Sequence, residues 1–172
     1  PDTLISNDQS VIKGEIAKSV ALIKDVVMVN IGGAGMVGKP GIAAKVFETF
    51  AKEGINILMI SQSVSEANIS LVIKRNHLEN AVNTLEISLL SRGFANRINA
   101  EDDVCVIAVV GAGMKGSQGV AARVFRAVAD EGINVRMIAQ GSTELNISIV
   151  VKEKNCEKAV MSIHKEFDMD KP

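Results

Sequence analysis

Tyrosine and tryptophan are absent, and the only aromatic residues are five Phe, 3% of the chain. A base-stacking surface is hard to build from so few rings. Neither charge sign dominates: 19 Lys and Arg against 20 Asp and Glu leave a formal net charge of -1. That argues against a polyanion partner, so no nucleic acid is expected. No apolar run reaches the length of a membrane span, and no basic-then-apolar leader opens the sequence. The two Cys, Cys105 and Cys156, are too few for a disulfide scaffold and read as separate, reduced packing residues. His77 and His164 stand far apart without ligand spacing, so no metal is expected. A cytoplasmic protein is the simplest class.

What is present is a globular composition, 47% apolar over 172 residues, and an internal repeat. Residues 29–82 align without a gap on 107–160 at a constant offset of 78, with 27 of 54 positions identical. Each repeat has the same order of elements. In the first, the spacing predicts a strand over 26–31, a Gly-rich stretch to Gly41, and a helix over 42–52 stopped by Gly54. Strands are predicted over 55–62 and 68–74, a helix over 78–90 and a strand over 94–99. The second repeat predicts 104–110, 120–130, 133–140, 146–152 and 156–165. The plan is α+β, two ferredoxin-like βαββαβ units. The second lacks a fourth strand, and 11–17 is available to cover that edge. The first unit (20–102) is therefore expected to be inserted into the second (1–19 and 103–172).

Two Gly-rich loops follow the first strand of each repeat. Gly33-Ala34-Gly35-Met36-Val37-Gly38 and Gly111-Ala112-Gly113-Met114-Lys115-Gly116 both fit GxGxxG. A dinucleotide site also requires an acidic residue near the end of the second strand, where Gln62 and Gln140 stand. It further needs a crossover helix where a tight turn is predicted. A phosphate-binding P-loop fails as well: Pro40 occupies the Ser/Thr position and the second loop has no Lys-Ser/Thr. A helix N-terminus still offers free N–H groups to a small carboxylate. The polar residues Asn56, Gln62, Asn68, Ser70 and their counterparts Asn134, Gln140, Asn146, Ser148 either contact such a ligand or serve turns. Glu66 and Glu144 read as solvent-facing hairpin residues. No acid/base pair recurs, so catalysis by this chain is not expected.

Gly38-x-x-Gly41-Ile42-Ala43 and Gly54-Ile55-Asn56 resemble ACT domains, the small-molecule-sensing modules of amino-acid metabolism. Met59-Ile60-Ser61-Gln62, Val109-Val110-Gly111-Ala112-Gly113-Met114 and Met137-Ile138-Ala139-Gln140 resemble the C-terminal regulatory half of aspartokinases, in style closest to the archaeal threonine-sensitive type. That resemblance implies feedback inhibition of aspartate phosphorylation by an end-product amino acid, threonine before lysine. It implies a homodimer through the ACT domains, and a separate kinase domain to which ATP and magnesium belong, with no cofactor in this chain. Carried over, the effector residues are Lys39, Pro40, Gly41, Ile42, Ala43, Asn56, Ile57 and Gln62, with Gly119, Val120, Ala121, Asn134, Val135 and Gln140 in the second repeat. The kinase half does not appear in the sequence and Pro1 opens it without Met, which suggests a fragment. A free-standing sensor, a regulatory subunit and a purely structural dimerisation module are the alternatives.

Overall fold

The computed structural model describes residues 16–169. Its elements in chain order are β1 (Ser19–Gly32), α1 (Ile42–Lys52), β2 (Ile57–Gln62), β3 (Asn68–Lys74), α2 (Leu78–Leu85), β4 (Arg97–Val110), α3 (Val120–Asp130), β5 (Met137–Gln140), β6 (Asn146–Lys152) and α4 (Cys156–Glu166). One π-type turn, Glu86–Leu90, continues α2. The six strands form a single sheet, β2-β3-β1-β4-β6-β5, and every pairing in it is antiparallel.

The two central strands are 14 residues long, and each serves both repeats. Val26–Gly32 of β1 pairs with β3, while Val104–Val110 of β4 pairs with β6. These are the equivalent first strands of the two repeats. Arg97–Glu101 edges the first strand of repeat one, and Ser19–Ile23 edges that of repeat two. Thus each central strand carries one repeat's first strand and the other repeat's fourth. Sequence reasoning assigned the edging role to 11–17, of which 11–15 lie outside the described residues. The strand that fills it is Ser19–Ile23, with the Lys18 N–H donating to the Val110 carbonyl at 2.7 Å. Ile16 and buried Ala17 pack on the second core.

The register shifts twice at mid-strand, between Ile23 and Val26 and between Val26 and Met28. Two β1 residues stand against one of β4 at the first shift, and the reverse holds at the second. Such paired bulges bend a sheet, and Asp25 takes the left-handed conformation there (φ 57°). The sheet folds back far enough for its two outer strands, β2 and β5, to touch. Val26, Met28, Met59, Val72, Val104, Val106, Met137 and Val150 fill the inside of the fold.

The opposite face carries the helices. Ile42, Val46, Thr49 and Phe50 form the buried stripe of α1, packed with Val27, Val29 and Ile31. Val120, Val124, Ala127 and Val128 do the same for α3 against Cys105, Ile107 and Val109. Both stripes follow the i, i+4, i+7 spacing of an amphipathic helix.

Cys105 and Cys156, read from sequence as separate thiols, form a disulfide joining β4 to the start of α4, with Cα atoms 6.4 Å apart. The 51-residue separation gave no sign of this contact, which exists only because α4 returns across β4. The same positions in the first repeat are Val27 and Leu78, an apolar strand–helix contact. Closing a loop of that length contributes about 4 kcal/mol on the chain-entropy account.

Ion pairs fasten the fold line. Glu101 meets Arg136 at 2.6 Å and Lys152 at 3.3 Å, Lys152 meets Asp103 at 2.5 Å, and Arg75 meets Glu153 at 3.0 Å. Arg75 and Glu153 occupy the same repeat position, so this bond crosses between the repeats. The Lys152 hydrogen bond holds the Asp103 carboxyl below its usual range. At Glu101 burial opposes ionisation, but the Arg136 hydrogen bond and the neighbouring Lys152 cation outweigh it and the net shift is also downward. Depressed carboxyl pKa values contribute stability that is present above the unfolded-state pKa and lost as pH falls through the folded one. Acid denaturation should therefore steepen below about pH 4, the ordinary carboxylate range. The Lys152→Met variant should lose less stability than the wild type over the same interval. Urea unfolding midpoints at pH 7 and at pH 3 check this; parallel losses in the two proteins would contradict it.

Candidate functional site

The two Gly-rich loops form two clefts related by the repeat. After β1 a one-turn 3-10 helix, Ala34–Met36, plugs the loop into the core through buried Met36. Gly38 (φ 66°) and Gly41 (φ 84°) then take left-handed conformations that a β-branched residue resists. Gly41 is the N-cap of α1 and no side chain caps that helix. The first intrahelical bond runs from the Lys45 N–H to the Gly41 carbonyl at 3.0 Å. The amides before it have no acceptor within the helix. The second loop repeats this with Met114, Gly116 (φ 71°), Gly119 (φ 80°) and the Arg123-to-Gly119 bond at 3.0 Å.

The opposite wall comes from the β2–β3 hairpin. Glu66 is held left-handed (φ 56°), its N–H donating to the Ser63 carbonyl at 2.9 Å. That turn aims its carboxylate at the loop, where it accepts the Gly38 N–H at 2.8 Å. Glu144 (φ 58°) accepts the Gly116 N–H at the same 2.8 Å. The sequence reading of Glu66 and Glu144 as solvent-facing hairpin residues holds, since both are exposed, and they also tie hairpin to loop. The available signal was their recurrence at the constant offset, each two residues before a repeated Asn.

The first cleft holds about 300 Å³ and is lined by Lys39, Pro40, Gly41, Ile42, Ala43 and Gln62 together with Met36, Gly38 and Glu66. The second holds about 680 Å³ and is lined by Gly119, Val120, Ala121 and Gln140 together with Met114, Gly116, Ser117, Gln118, Gly141, Ser142 and Glu144. Sequence reasoning missed the Met, the Glu and the hairpin residues of these walls. Asn56, Ile57, Asn134 and Val135 line neither cleft. Asn56 precedes β2 at the end opposite Gln62, Ile57 packs on the first core and Val135 on the second. Asn68 accepts a hydrogen bond from Arg97 at 3.2 Å, and Ser70 donates to Asn30 at 2.6 Å. Both are therefore engaged within the sheet.

Chemically the clefts are suited to holding a small zwitterion. Backbone amides at a helix N-terminus can hold a carboxylate, and the glutamate opposite can pair with a cation. The groups with shifted pKa values, Glu101, Asp103, Arg136, Lys152, Arg75 and Glu131, line neither cleft. No group of three or more metal-ligating side chains occurs among the described residues, and no helix among them is long and apolar enough to cross a membrane.

Removing the carboxylate pin should loosen one loop only. Glu66→Ala is expected to speed amide exchange at Gly38 while leaving Gly116 unchanged, and to cost about 1 kcal/mol of stability or less, since the bond is exposed. Residue-resolved hydrogen exchange checks it; equal acceleration at both glycines would contradict independent pinning.

A family model described as the ACT domain matches residues 29–89 and again 107–167. The chain is 35% identical over 153 residues to the chloroplastic bifunctional aspartokinase/homoserine dehydrogenase 1 of Arabidopsis thaliana, covering 87% of this chain and 17% of that protein. It is 32% identical over 176 residues to the aspartate kinase of Pseudomonas putida, covering 100% of this chain and 42% of that one. The chain thus spans less than half the length of these relatives. Among solved structures, the ligand-free regulatory subunit of aspartate kinase from Thermus thermophilus superposes with a TM-score of 0.78 at 31% identity. That match covers 90% of this chain and 99% of the other. With its family model matched twice, and a regulatory subunit covered almost end to end, this chain belongs to the ACT-domain family, among the regulatory regions of aspartokinases.

Proposed function

We propose that the chain is the allosteric region through which an end-product amino acid, threonine, inhibits phosphorylation of aspartate in a parent aspartate kinase of the archaeal threonine-sensitive type. The observation that carries this is the recurrence of one cleft at a constant offset of 78. Each cleft has an uncapped helix start, a glutamine at the end of the edge strand and a pinned glutamate. The α-carboxylate of the effector meets the amides at Gly41 or Gly119. Its ammonium faces Glu66 or Glu144, and Gln62 or Gln140 pairs with the side-chain hydroxyl. Catalysis, ATP and magnesium belong to a kinase domain of the parent, acting in the cytoplasm. The first ACT domain is inserted into the second, in keeping with the strand exchange between β1 and β4.

The chain works as a homodimer in this reading. β2 is an edge strand exposing Leu58 and Ile60, and β5 exposes Ile138; an apolar edge of this kind invites pairing. Antiparallel pairing of two β2 edges brings the start of one, with Asn56 and Ile57, beside the end of the other, with Gln62. That is how Asn56 and Ile57 join a site they do not line within one chain; the equivalent pairing of two β5 edges would do the same for Asn134 and Val135.

One observation favours a second effector, lysine: a carboxylate stands in each cleft, at Glu66 and Glu144. Calorimetry with L-threonine and L-lysine tests both. Gln62→Ala should weaken threonine binding about tenfold, the worth of one hydrogen bond of ~1.4 kcal/mol. Gly41→Val should weaken it further, through strain at a left-handed N-cap. Unchanged affinity in both variants would remove the first cleft as a threonine site. Dimerisation without heat from any amino acid would favour a purely structural module.

A further inference from the structure

Resting on the effector reading above, we infer that position 39 and its counterpart 117 set the net charge of the ligand each cleft accepts. The first cleft selects a zwitterionic amino acid, and the second one whose side chain adds a positive charge. Each cleft carries one carboxylate, Glu66 or Glu144, fixed by the same 2.8 Å bond to a loop amide. The helix starts are equivalent, so their contribution cancels in the comparison. What differs is the lip. Lys39 lines the first cleft together with Glu66, so the lining holds one cation and one anion. Ser117 stands in its place in the second, its hydroxyl turned away to donate to the Gly113 carbonyl at 2.6 Å.

The neighbouring exchange, Pro40 for Gln118, is neutral. Lys115, the cation of the second loop, occupies the position of Val37 and does not line the cleft. Side-chain charge around the first cleft therefore sums to zero, and around the second to one negative charge. A zwitterion gains little from that difference, whereas an added ammonium gains from it only in the second. The second cleft, about 680 Å³ against about 300 Å³, also has room for a longer side chain. For one charge at the rim of an exposed cleft, Coulomb attraction amounts to about a fivefold preference at low salt, shrinking as salt rises.

The test uses the full chain, labelled with nitrogen-15, titrated with L-lysine and with L-norleucine, which has the same carbon chain without the terminal ammonium. Amide signals of Gly38 and Gly41 report the first cleft, and those of Gly116 and Gly119 the second. The second cleft should prefer lysine over norleucine about fivefold and the first should not. Ser117→Lys should abolish the preference in the second cleft, and Lys39→Ser should create it in the first. In each variant the unaltered cleft controls for folding. A lysine-to-norleucine ratio that is equal in the two clefts, and within twofold of wild type in both variants, would overturn the inference while leaving the effector reading intact. If no cleft amide responds to lysine, norleucine or threonine, the effector reading itself falls and this inference with it.

Discussion

The antiparallel pairing of β1 with β4 is the interaction on which the rest of the structure depends. Each strand is 14 residues long and gives half its length to each repeat. Neither repeat completes its own four-stranded sheet without the other's central strand. Duplicated domains usually meet across an interface that can slide or open. Here the boundary is a continuous ladder of backbone hydrogen bonds, bulged at its middle, so the repeats share a sheet as well as contacts. The Arg75–Glu153 bond and the Glu101–Arg136–Lys152–Asp103 cluster lie beside the fold line. The apolar layer inside it joins all six strands. These partly exposed ion pairs add modestly to stability.

That arrangement places the two clefts at equivalent ends of a single framework. β1 ends at Gly32 and β4 at Val110, at opposite ends of an antiparallel pair. Each strand end delivers its loop to the start of a helix, and the adjacent hairpin supplies Glu66 or Glu144 to hold the loop. The clefts are thus built on helix starts and strand ends, with loop glycines in their walls. The linings diverge at the lip, at positions 39 and 117 among others, while the glycines, the glutamine and the glutamate stay the same.

Much of this was legible in the sequence. α1, α3, β3 and β6 have the bounds that apolar periodicity and glycine stops predict, because their buried stripes are uninterrupted. The long central strands were not legible as such. Lys24 and Asp25 in β1, and Asp102 and Asp103 in β4, break the alternation at the bulges, so each strand reads as a short apolar run beside a polar segment. β5 begins at Met137 although the apolar pattern starts at Ile133, because Ile133 and Val135 pack on the second core ahead of the strand. Gln62, Gly41 and their counterparts could be named because residue type and repetition point to them. Glu66 and Glu144 recur at the same offset, but their tie to the loop depends on a left-handed turn that an ordinary glutamate does not advertise. The Cys105–Cys156 bond depended on tertiary proximity alone.

Hydrogen exchange along β1 tests the shared-sheet claim most directly. The amides of Val20 and Leu22 edge the second repeat and those of Val27 and Val29 lie in the first, all on one strand. The account predicts that the hydrogen-bonded amides of both segments exchange with the same opening free energy, equal to that of global unfolding. Exchange of the 19–23 segment at a free energy several kcal/mol lower, as in a frayed terminus, would mean that the second repeat stands without it, and would contradict the account.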